Sequence, residues 1–385
     1  MIFLIALGIY GIILLLFFIG LHLPPKKKST NRPFVSVIVA ARNEENNIAD
    51  CLGDLAEQTY PVDKFEIIVA DDHSNDETPK IVQNFMRKMV NLRLLRVHGI
   101  PEELTPKKNA INQGIQDTTG EIIFTTDADC RMKPTWLESM ISYFTEDVGM
   151  VVGFSQFIGR NGEQSFLEKL QAIDFLSLMA SAEGSSNLGF PLAASGQNLA
   201  YRRETFEEVG GFKTIGHRVS GDDVLLLQLV RQKTNWKIRF ADSEESFNST
   251  YAKNSLPEII NQRRRWASNA PFQVKLNKLF FVFLIDVFIV NAGLLLGSPL
   301  AASGLIPWRV ILSGLAIKAA IEFLIAVKAC VKFRRLDLLK AFPVWFVLQI
   351  PYVFLAGMLG SFGTFTWKDR KHEIKEISLE TISKR

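Results

Sequence analysis

The chain begins with an apolar run that strongly constrains how it can fold. Residues 1–23 contain no Asp, Glu, Lys or Arg, and about 20 apolar residues are enough to cross a bilayer. A secretory signal peptide would carry its basic residues before a shorter apolar run, whereas here Lys26 to Lys28 follow the run. Because such basic residues stay in the cytoplasm, we predict a transmembrane helix over 1–23 with its N-terminus outside.

The last third of the chain repeats this apolar pattern. The transmembrane region 279–363 predicts about three spans, at 279–302, 306–331 and 341–362. The middle span carries Lys318 and Glu322, an i,i+4 pair that we expect to face protein rather than lipid. Three crossings would place the basic tail, 364–385, outside, against the positive-inside rule. A re-entrant or interfacial last segment, broken at Pro351, would remove this conflict.

The middle of the chain, residues 30–275, predicts one cytoplasmic domain. Its first half alternates apolar runs with amphipathic stretches of helical period. The apolar runs predict strands at 34–41, 65–72, 92–98 and 121–130. This alternation predicts an α/β fold with a doubly wound, mostly parallel sheet. Polar clusters follow three of the runs, so we expect a ligand site beyond the C-terminal strand ends.

Composition and motifs exclude several classes of function. The net charge of +4 is not concentrated in a basic stripe, so we expect no nucleic-acid partner. The three cysteines are far apart and predict neither a disulfide framework nor a zinc site. The sequence contains neither a P-loop nor a dinucleotide-binding glycine motif. The α/β domain therefore has to bind its ligand through other groups.

The fourth run ends in two carboxylates, Asp127 and Asp129, one residue apart. In an extended chain these side chains share a face and can converge on one point, where they repel unless a proton or cation intervenes. Hard oxygen ligands suit Mg²⁺ or Mn²⁺, and Mg²⁺ commonly takes one or two carboxylates plus diphosphate oxygens. A solvated loop or a helix cap explains the pair alone. The neighbouring polar clusters favour a metal–diphosphate site.

Two further clusters each have a structural and a functional interpretation. Asp222 and Asp223 precede an amphipathic stretch and predict either a helix N-cap or a general base. The stretch 262–266, QRRRW, lies just before the first C-terminal span. Its arginines either bind lipid headgroups or hold a diphosphate, with Trp266 as a stacking surface.

The order of these motifs resembles the membrane-bound members of glycosyltransferase family 2, such as poly-N-acetylglucosamine and hyaluronan synthases and ceramide glucosyltransferases. The similarity covers residues 33–270. It is carried by VSVIVAARNEE, QTYPVDKFEIIVADDHSNDET, KKNAINQGI, TTDADC, SGQNLAYRRETFEEVGGF, GDD and QRRRW. The resemblance implies a GT-A fold flanked by transmembrane helices.

The resemblance also implies roles for individual residues. It implies a donor site formed by Ala40, Glu44, Asp72, Lys107, Asp127 and Arg265. It implies an Mg²⁺ or Mn²⁺ site at Asp129 and Asp127, and acceptor contacts from Gln262 and Trp266. Asp223 corresponds to the catalytic base, but Asp222 stands where the family commonly has Glu, which leaves both as candidates. His73 stands where the family commonly has Gly.

The function implied is an inverting, metal-dependent transfer of a sugar from a nucleoside diphosphate sugar, a UDP-sugar, to a membrane-associated hydroxyl. The acceptor is either a lipid, giving a glycolipid or lipid-linked glycan, or a growing polysaccharide extruded by a processive synthase. The small number of spans favours the lipid. A transport or binding protein with a nucleotide-sensing domain would use Asp286, Lys318 and Glu322 but leaves the donor-site motifs unexplained. We expect an integral protein of the plasma (inner) membrane with a cytoplasmic catalytic domain.

Overall fold

The computed structural model describes residues 1–24, 28–99, 101–160 and 162–361, and the backbone of 364–367 and 370–373. The helices are α1 Ile2–Gly20, α2 Ile48–Ala56, α3 Thr78–Met86, α4 Pro106–Gln116, α5 Trp136–Ile141, α6 Phe166–Asn187, α7 Arg203–Glu208, α8 Val224–Lys233, α9 Leu256–Ala267, α10 Gln273–Leu276, α11 Lys278–Ala302, α12 Trp308–Lys332 and α13 Phe342–Ser361. The strands are β1 Val35–Ala41, β2 Phe65–Asp71, β3 Leu92–Arg96, β4 Ile122–Asp127, β5 Cys130–Met132, β6 Val148–Gly153, β7 Ser155–Ile158, β8 Leu199–Arg202, β9 Lys237–Ala241, β10 Asn248–Tyr251, β11 Thr364–Trp367 and β12 Arg370–Glu373.

The chain forms two compact units. The sheet unit comprises Leu23–Glu163 and Ser185–Ala252. The helical unit comprises Met1–His22, Gln164–Gly184 and the described residues from Lys253 onward. The stretch from Gln164 to Gly184, and α9 after it, thus belong with the apolar helices by their contacts, although both lie within the predicted domain 30–275.

The sheet unit is built on a seven-stranded sheet in the order β3-β2-β1-β4-β8-β6-β9. The first four strands are mutually parallel, and β8 is antiparallel to both of its neighbours. In the central strand β1, Val35 to Val39 are fully buried, as expected of a parallel strand that is covered on both faces. A smaller sheet has the order β5-β10-β7. The predicted doubly wound, mostly parallel α/β fold is confirmed.

The fourth predicted strand is shorter than the sequence suggested. Strand β4 ends at Asp127, Ala128 and Asp129 form a turn, and β5 begins at Cys130. The extended-chain argument for convergence of Asp127 and Asp129 was therefore wrong in its geometry, because the backbone turns between the two carboxylates. Strand β3 likewise ends at Arg96 rather than at residue 98.

In the helical unit, α1, α11 and α12 are long and apolar enough to cross a membrane, as is Leu336–Gly360, which includes α13. Helix α1 packs against α11 and α12. The Lys318 ammonium lies 2.7 Å from a Glu322 carboxylate oxygen, and both side chains are buried. The prediction that this pair faces protein is confirmed. Helix α13 continues through Pro351, so the suggested break at that proline was wrong.

The C-terminal tail is described only in part. Strands β11 and β12 pair antiparallel. The remainder of the predicted basic tail 364–385 lies outside the described residues.

Candidate active site

Lys107 joins two of the predicted motifs. It lies in the first turn of α4, where its ammonium is 2.8 Å from Asp127 Oδ1 and 3.1 Å from Asp222 Oδ2. Asp127 is the last residue of β4, and Asp222 precedes α8. The lysine side chain is only 16% exposed, so these contacts are sheltered from water. The structure therefore brings the D-x-D motif, the lysine and the Asp222–Asp223 pair together at the C-terminal end of β4, in the middle of the sheet.

The pKa values of Lys107, Asp222 and Asp223 are all shifted by their charged neighbours. Burial acts to lower the pKa of Lys107, but Asp127 and Asp222 outweigh it and raise that pKa. Burial acts to raise the pKa of Asp222, but Lys107 and Lys108 reverse the effect and lower it. Burial and the negative charge of Asp222 raise the pKa of Asp223. Of the two neighbouring carboxylates, Asp223 thus has the higher proton affinity, which is the property required of a general base.

Asp223 is held by two backbone donors. It is the N-cap of α8, where its Oδ1 accepts the Val224 N–H at 2.6 Å. Its Oδ2 accepts the Gly196 N–H at 2.9 Å. A Cβ at Gly196 would lie 3.1 Å from Asp222 Oδ2 and 3.5 Å from Asp223 Oδ2. The N-cap prediction is therefore confirmed, and the absence of a side chain at residue 196 lets the backbone approach both carboxylates.

The predicted nucleotide residues lie at the C-terminal ends of β1 and β2. Ala40 is opposite Ala70 in one ladder and Asp127 in the other. The Asp72 N–H donates to Ala41 O at 2.9 Å, which holds Asp72 beside the end of β1. Because β1 pairs in parallel with both β2 and β4, Ala40 and Asp72 lie at the same end of the sheet as Asp127.

Asp72 and Glu44 are both buried. His73 Nδ1 lies 3.1 Å from Asp72 Oδ1, and Arg42 Nη1 donates to Asp72 O at 2.8 Å. Glu44 Oε2 accepts from Asn47 Nδ2 at 2.6 Å. The φ of His73 is 58°, in the left-handed region that favours glycine. This backbone explains why a glycine is common at that position, although His73 occupies it here.

The two carboxylates at the end of β4 supply oxygen ligands of the kind that a hard divalent cation prefers. Asp127 and Asp129 offer carboxylate oxygens, and Cys130 Sγ lies 4.0 Å from Asp129 Oδ1. No group of three or more His, Cys, Asp or Glu residues able to hold a metal occurs among the described residues. A cation here would need further oxygen ligands from a diphosphate and water, which is the usual Mg²⁺ arrangement.

The QRRRW stretch lies in α9, in the helical unit. Its three arginines have different surroundings. Arg263 is 4% exposed and lies 2.6 Å from Asp174, whereas Arg264 Nε donates to Leu359 O at 3.1 Å. Arg265 and Trp266 are half-buried. The headgroup interpretation was therefore wrong for Arg263, whose charge is paired inside the protein.

A protein-family model matches much of the chain, including most of the sheet unit. Residues 36–210 match the model of the family described as Glycosyl transferase family 2. Residues 36–210 are a family 2 glycosyltransferase domain. This confirms the resemblance on which the predicted roles depend.

Curated relatives agree with this domain. Glycosyltransferase AglE of Haloferax volcanii is 34% identical over 193 residues, which are 50% of this chain and 59% of that protein. Beta-monoglucosyldiacylglycerol synthase of Trichormus variabilis is 28% identical over 244 residues, which are 63% of this chain and 50% of that protein. The chain thus spans about half the length of the curated relatives it matches.

A solved structure shares the fold. The mannosyltransferase PcManGT from Pyrobaculum calidifontis, in complex with GDP-Man and Mn²⁺, matches 86% of this chain and 98% of its own. The TM-score is 0.61 at 20% sequence identity. The predicted GT-A fold is confirmed.

Two buried residues of the glycosyltransferase domain were not predicted. The ammonium of Lys108 donates to Arg218 O and, at 3.1 Å, to Ser220 O, and burial lowers its pKa to about 8. It thereby holds the segment that precedes Asp222. The i+3 and i+7 spacing of Lys108 to Ile111 and Ile115, both buried, was a signal that this lysine faces the core.

Asn198 is the second such residue. Its side-chain amide accepts from Trp136 Nε1 at 3.0 Å and donates to Phe154 O at 2.9 Å and Ser246 O at 2.8 Å. It is fully buried and lies two residues after Gly196. This network fixes the turn whose N–H contacts Asp223.

Proposed function

We propose that the chain transfers a sugar from a nucleoside diphosphate sugar, a UDP-sugar, to a lipid hydroxyl, with inversion at the anomeric carbon. The observation that carries this proposal is the Lys107 bridge between Asp127 and Asp222 in a family 2 domain. This bridge places the Lys107 ammonium and the D-x-D motif, which are suited to bind the diphosphate of the sugar donor, next to the Asp222–Asp223 pair. Asp223 of that pair is suited to act as the base.

The donor half of the site holds the nucleotide sugar. Asp72 and Glu44, with Ala40, line the nucleotide pocket, and Arg265 binds the diphosphate. Asp129, together with Asp127, would hold Mg²⁺ or Mn²⁺, which would supply positive charge to offset the negative charge of the departing diphosphate. The PcManGT structure, which holds GDP-Man and Mn²⁺ on the same fold, supports this assignment.

Asp223 is the base of the transfer. Its carboxylate removes the proton of the acceptor hydroxyl while the hydroxyl oxygen bonds to the anomeric carbon. The bond from that carbon to the diphosphate breaks, and the diphosphate leaves with the electron pair. One displacement with one base inverts the configuration. Asp222 is paired with Lys107 and its pKa is lowered, so it keeps the lysine in place rather than taking the proton.

The acceptor is a lipid at the membrane surface. Four long apolar segments support membrane insertion, and one relative is named a monoglucosyldiacylglycerol synthase. Gln262 and Trp266 contact the acceptor. The positive-inside rule applied to Lys26–Lys28 places the glycosyltransferase domain in the cytoplasm, on the inner face of the plasma membrane.

The test is transfer by purified protein in detergent with a total lipid extract. Radiolabelled UDP-glucose, UDP-N-acetylglucosamine and GDP-mannose are supplied in separate reactions. The proposal predicts label from a UDP-sugar in the fraction that extracts into organic solvent. Label only in a solvent-insoluble polymer would instead support the polysaccharide synthase, and label only as free sugar would overturn transfer altogether.

A further inference from the structure

Three helices of the helical unit meet at an ion pair between a buried arginine and a half-buried carboxylate. Arg263 of α9 lies 2.6 Å from Asp174 Oδ2 of α6 and is 4% exposed. Asp174 Oδ1 also accepts from Trp345 Nε1 of α13 at 3.2 Å. The carboxylate of Asp174 therefore links an arginine of the QRRRW stretch to an apolar helix that is long enough to cross the membrane.

The same arginine contacts Trp266. The Arg263 guanidinium carbon is 4.3 Å from the centroid of the Trp266 ring, within the range of a cation–π contact. The Phe175 ring, next to Asp174 in α6, lies 5.8 Å from the Trp266 ring, centroid to centroid. These two contacts restrict the rotation of the Trp266 side chain.

Stability alone is a weak reason for this arrangement. A buried ion pair commonly contributes no more than an apolar pair of similar volume. Here Arg263 Nη1 is buried and has no hydrogen-bond partner among the described residues, which is an additional cost. A planar guanidinium can stack on an indole and donate to the Asp174 carboxylate at the same time, and lysine cannot copy that geometry.

We infer that the Asp174–Arg263 ion pair fixes the ring of Trp266, and that Arg263 and Asp174 are positioning residues for acceptor binding. This rests on the proposed role of Trp266 as an acceptor contact. Because Trp345 holds the second oxygen of Asp174, the orientation of the Trp266 ring depends on α13 as well as on α9.

The test uses Asp174→Asn and Arg263→Lys in the full chain, with Glu183→Gln as a matched control. Glu183 is a buried α6 carboxylate that pairs with Lys332 of α12, and it lies about 13 Å along the helix axis from Asp174. With 1,2-dioleoylglycerol as the acceptor probe, we expect both test variants to raise the acceptor KM about tenfold, or about 1.4 kcal/mol. Donor KM and donor hydrolysis should stay unchanged, and the control should leave the acceptor KM unchanged.

A second experiment tests whether Asp174 acts through Trp266. In a Trp266→Ala background, Asp174→Asn should have no further effect on the acceptor KM, because the group it positions is gone. Additive effects, or an equal rise in acceptor KM for Glu183→Gln, would overturn the inference.

A third arm does not need activity. With 5-fluorotryptophan incorporated, the ¹⁹F resonance of Trp266, assigned by its loss in Trp266→Phe, should shift in Arg263→Lys and not in Glu183→Gln. An unmoved resonance overturns the inference even if the protein is active. A moved resonance in a protein that transfers no sugar would leave the coupling standing and defeat the proposed function instead.

Discussion

Replacing Lys107 by Met removes an ammonium that contacts both Asp127 and Asp222. Its contacts of 2.8 and 3.1 Å correspond to about 5–6 kcal/mol each before desolvation, at an effective dielectric constant of about 20. Breaking a buried pair costs about 3–5 kcal/mol, and the 28% exposure of Asp127 reduces this through solvent screening. We therefore expect a net loss of about 2–3 kcal/mol at the site, which is about 30- to 150-fold.

The assay is kcat/KM for the nucleotide sugar, together with nucleotide affinity by calorimetry. Lys107→Met should lower kcat/KM by that factor, because Asp127 and Asp222 then lose the ammonium that contacts both of them. Lys80→Met is the matched control, since Lys80 forms a solvent-exposed ion pair with Glu77. If Lys107→Met loses no more kcat/KM than Lys80→Met, then Lys107 does not organise the site.

Three further predictions follow from the same geometry. Asp129→Asn, like EDTA treatment of the wild type, should abolish transfer without unfolding the protein, and Mn²⁺ or Mg²⁺ should restore only the chelated wild type; full turnover in metal-free buffer would contradict this. Because burial and Asp222 raise the pKa of Asp223 and a base must be ionised, kcat/KM should fall with decreasing pH through a pKa above the usual aspartate value of about 3.9; an acid limb at or below that value would contradict it. Gly196→Ala places a Cβ 3.1 Å from Asp222 Oδ2 and should lower kcat about tenfold, since small misplacements of a base are costly; nucleotide affinity should not change.

The sheet could be predicted from the sequence because its signals are local. The largely apolar run 34–41 predicted a parallel strand that is covered on both faces. The four-residue strand β8 has no comparable signal, so its antiparallel insertion beside β4 was not foreseen. The turn at Ala128 and Asp129 was missed because an apolar run predicts the existence of a strand better than its end.

The candidate site was predictable as a set of motifs and less so as an arrangement. Lys107 and Lys108 are adjacent and chemically identical, so the sequence does not distinguish them. In the structure the Lys107 ammonium contacts Asp127, whereas the Lys108 ammonium is buried against backbone carbonyls. The family resemblance assigned Arg265 to the donor site and gave Arg263 no separate role. Its partner Asp174 is far away in the chain, and no local pattern indicates a pairing of that kind.

The role of Asp223 as the base is tested most directly by comparing wild type, Asp223→Asn and Asp222→Asn for transfer of labelled sugar into lipid, with nucleotide affinity measured on the same preparations. If Asp223 is the base, Asp223→Asn should bind nucleotide normally and lose about 10²- to 10⁴-fold in transfer rate, and Asp222→Asn should lose less. Wild-type transfer by Asp223→Asn, or a larger loss in Asp222→Asn, would contradict the assignment of Asp223 as the base.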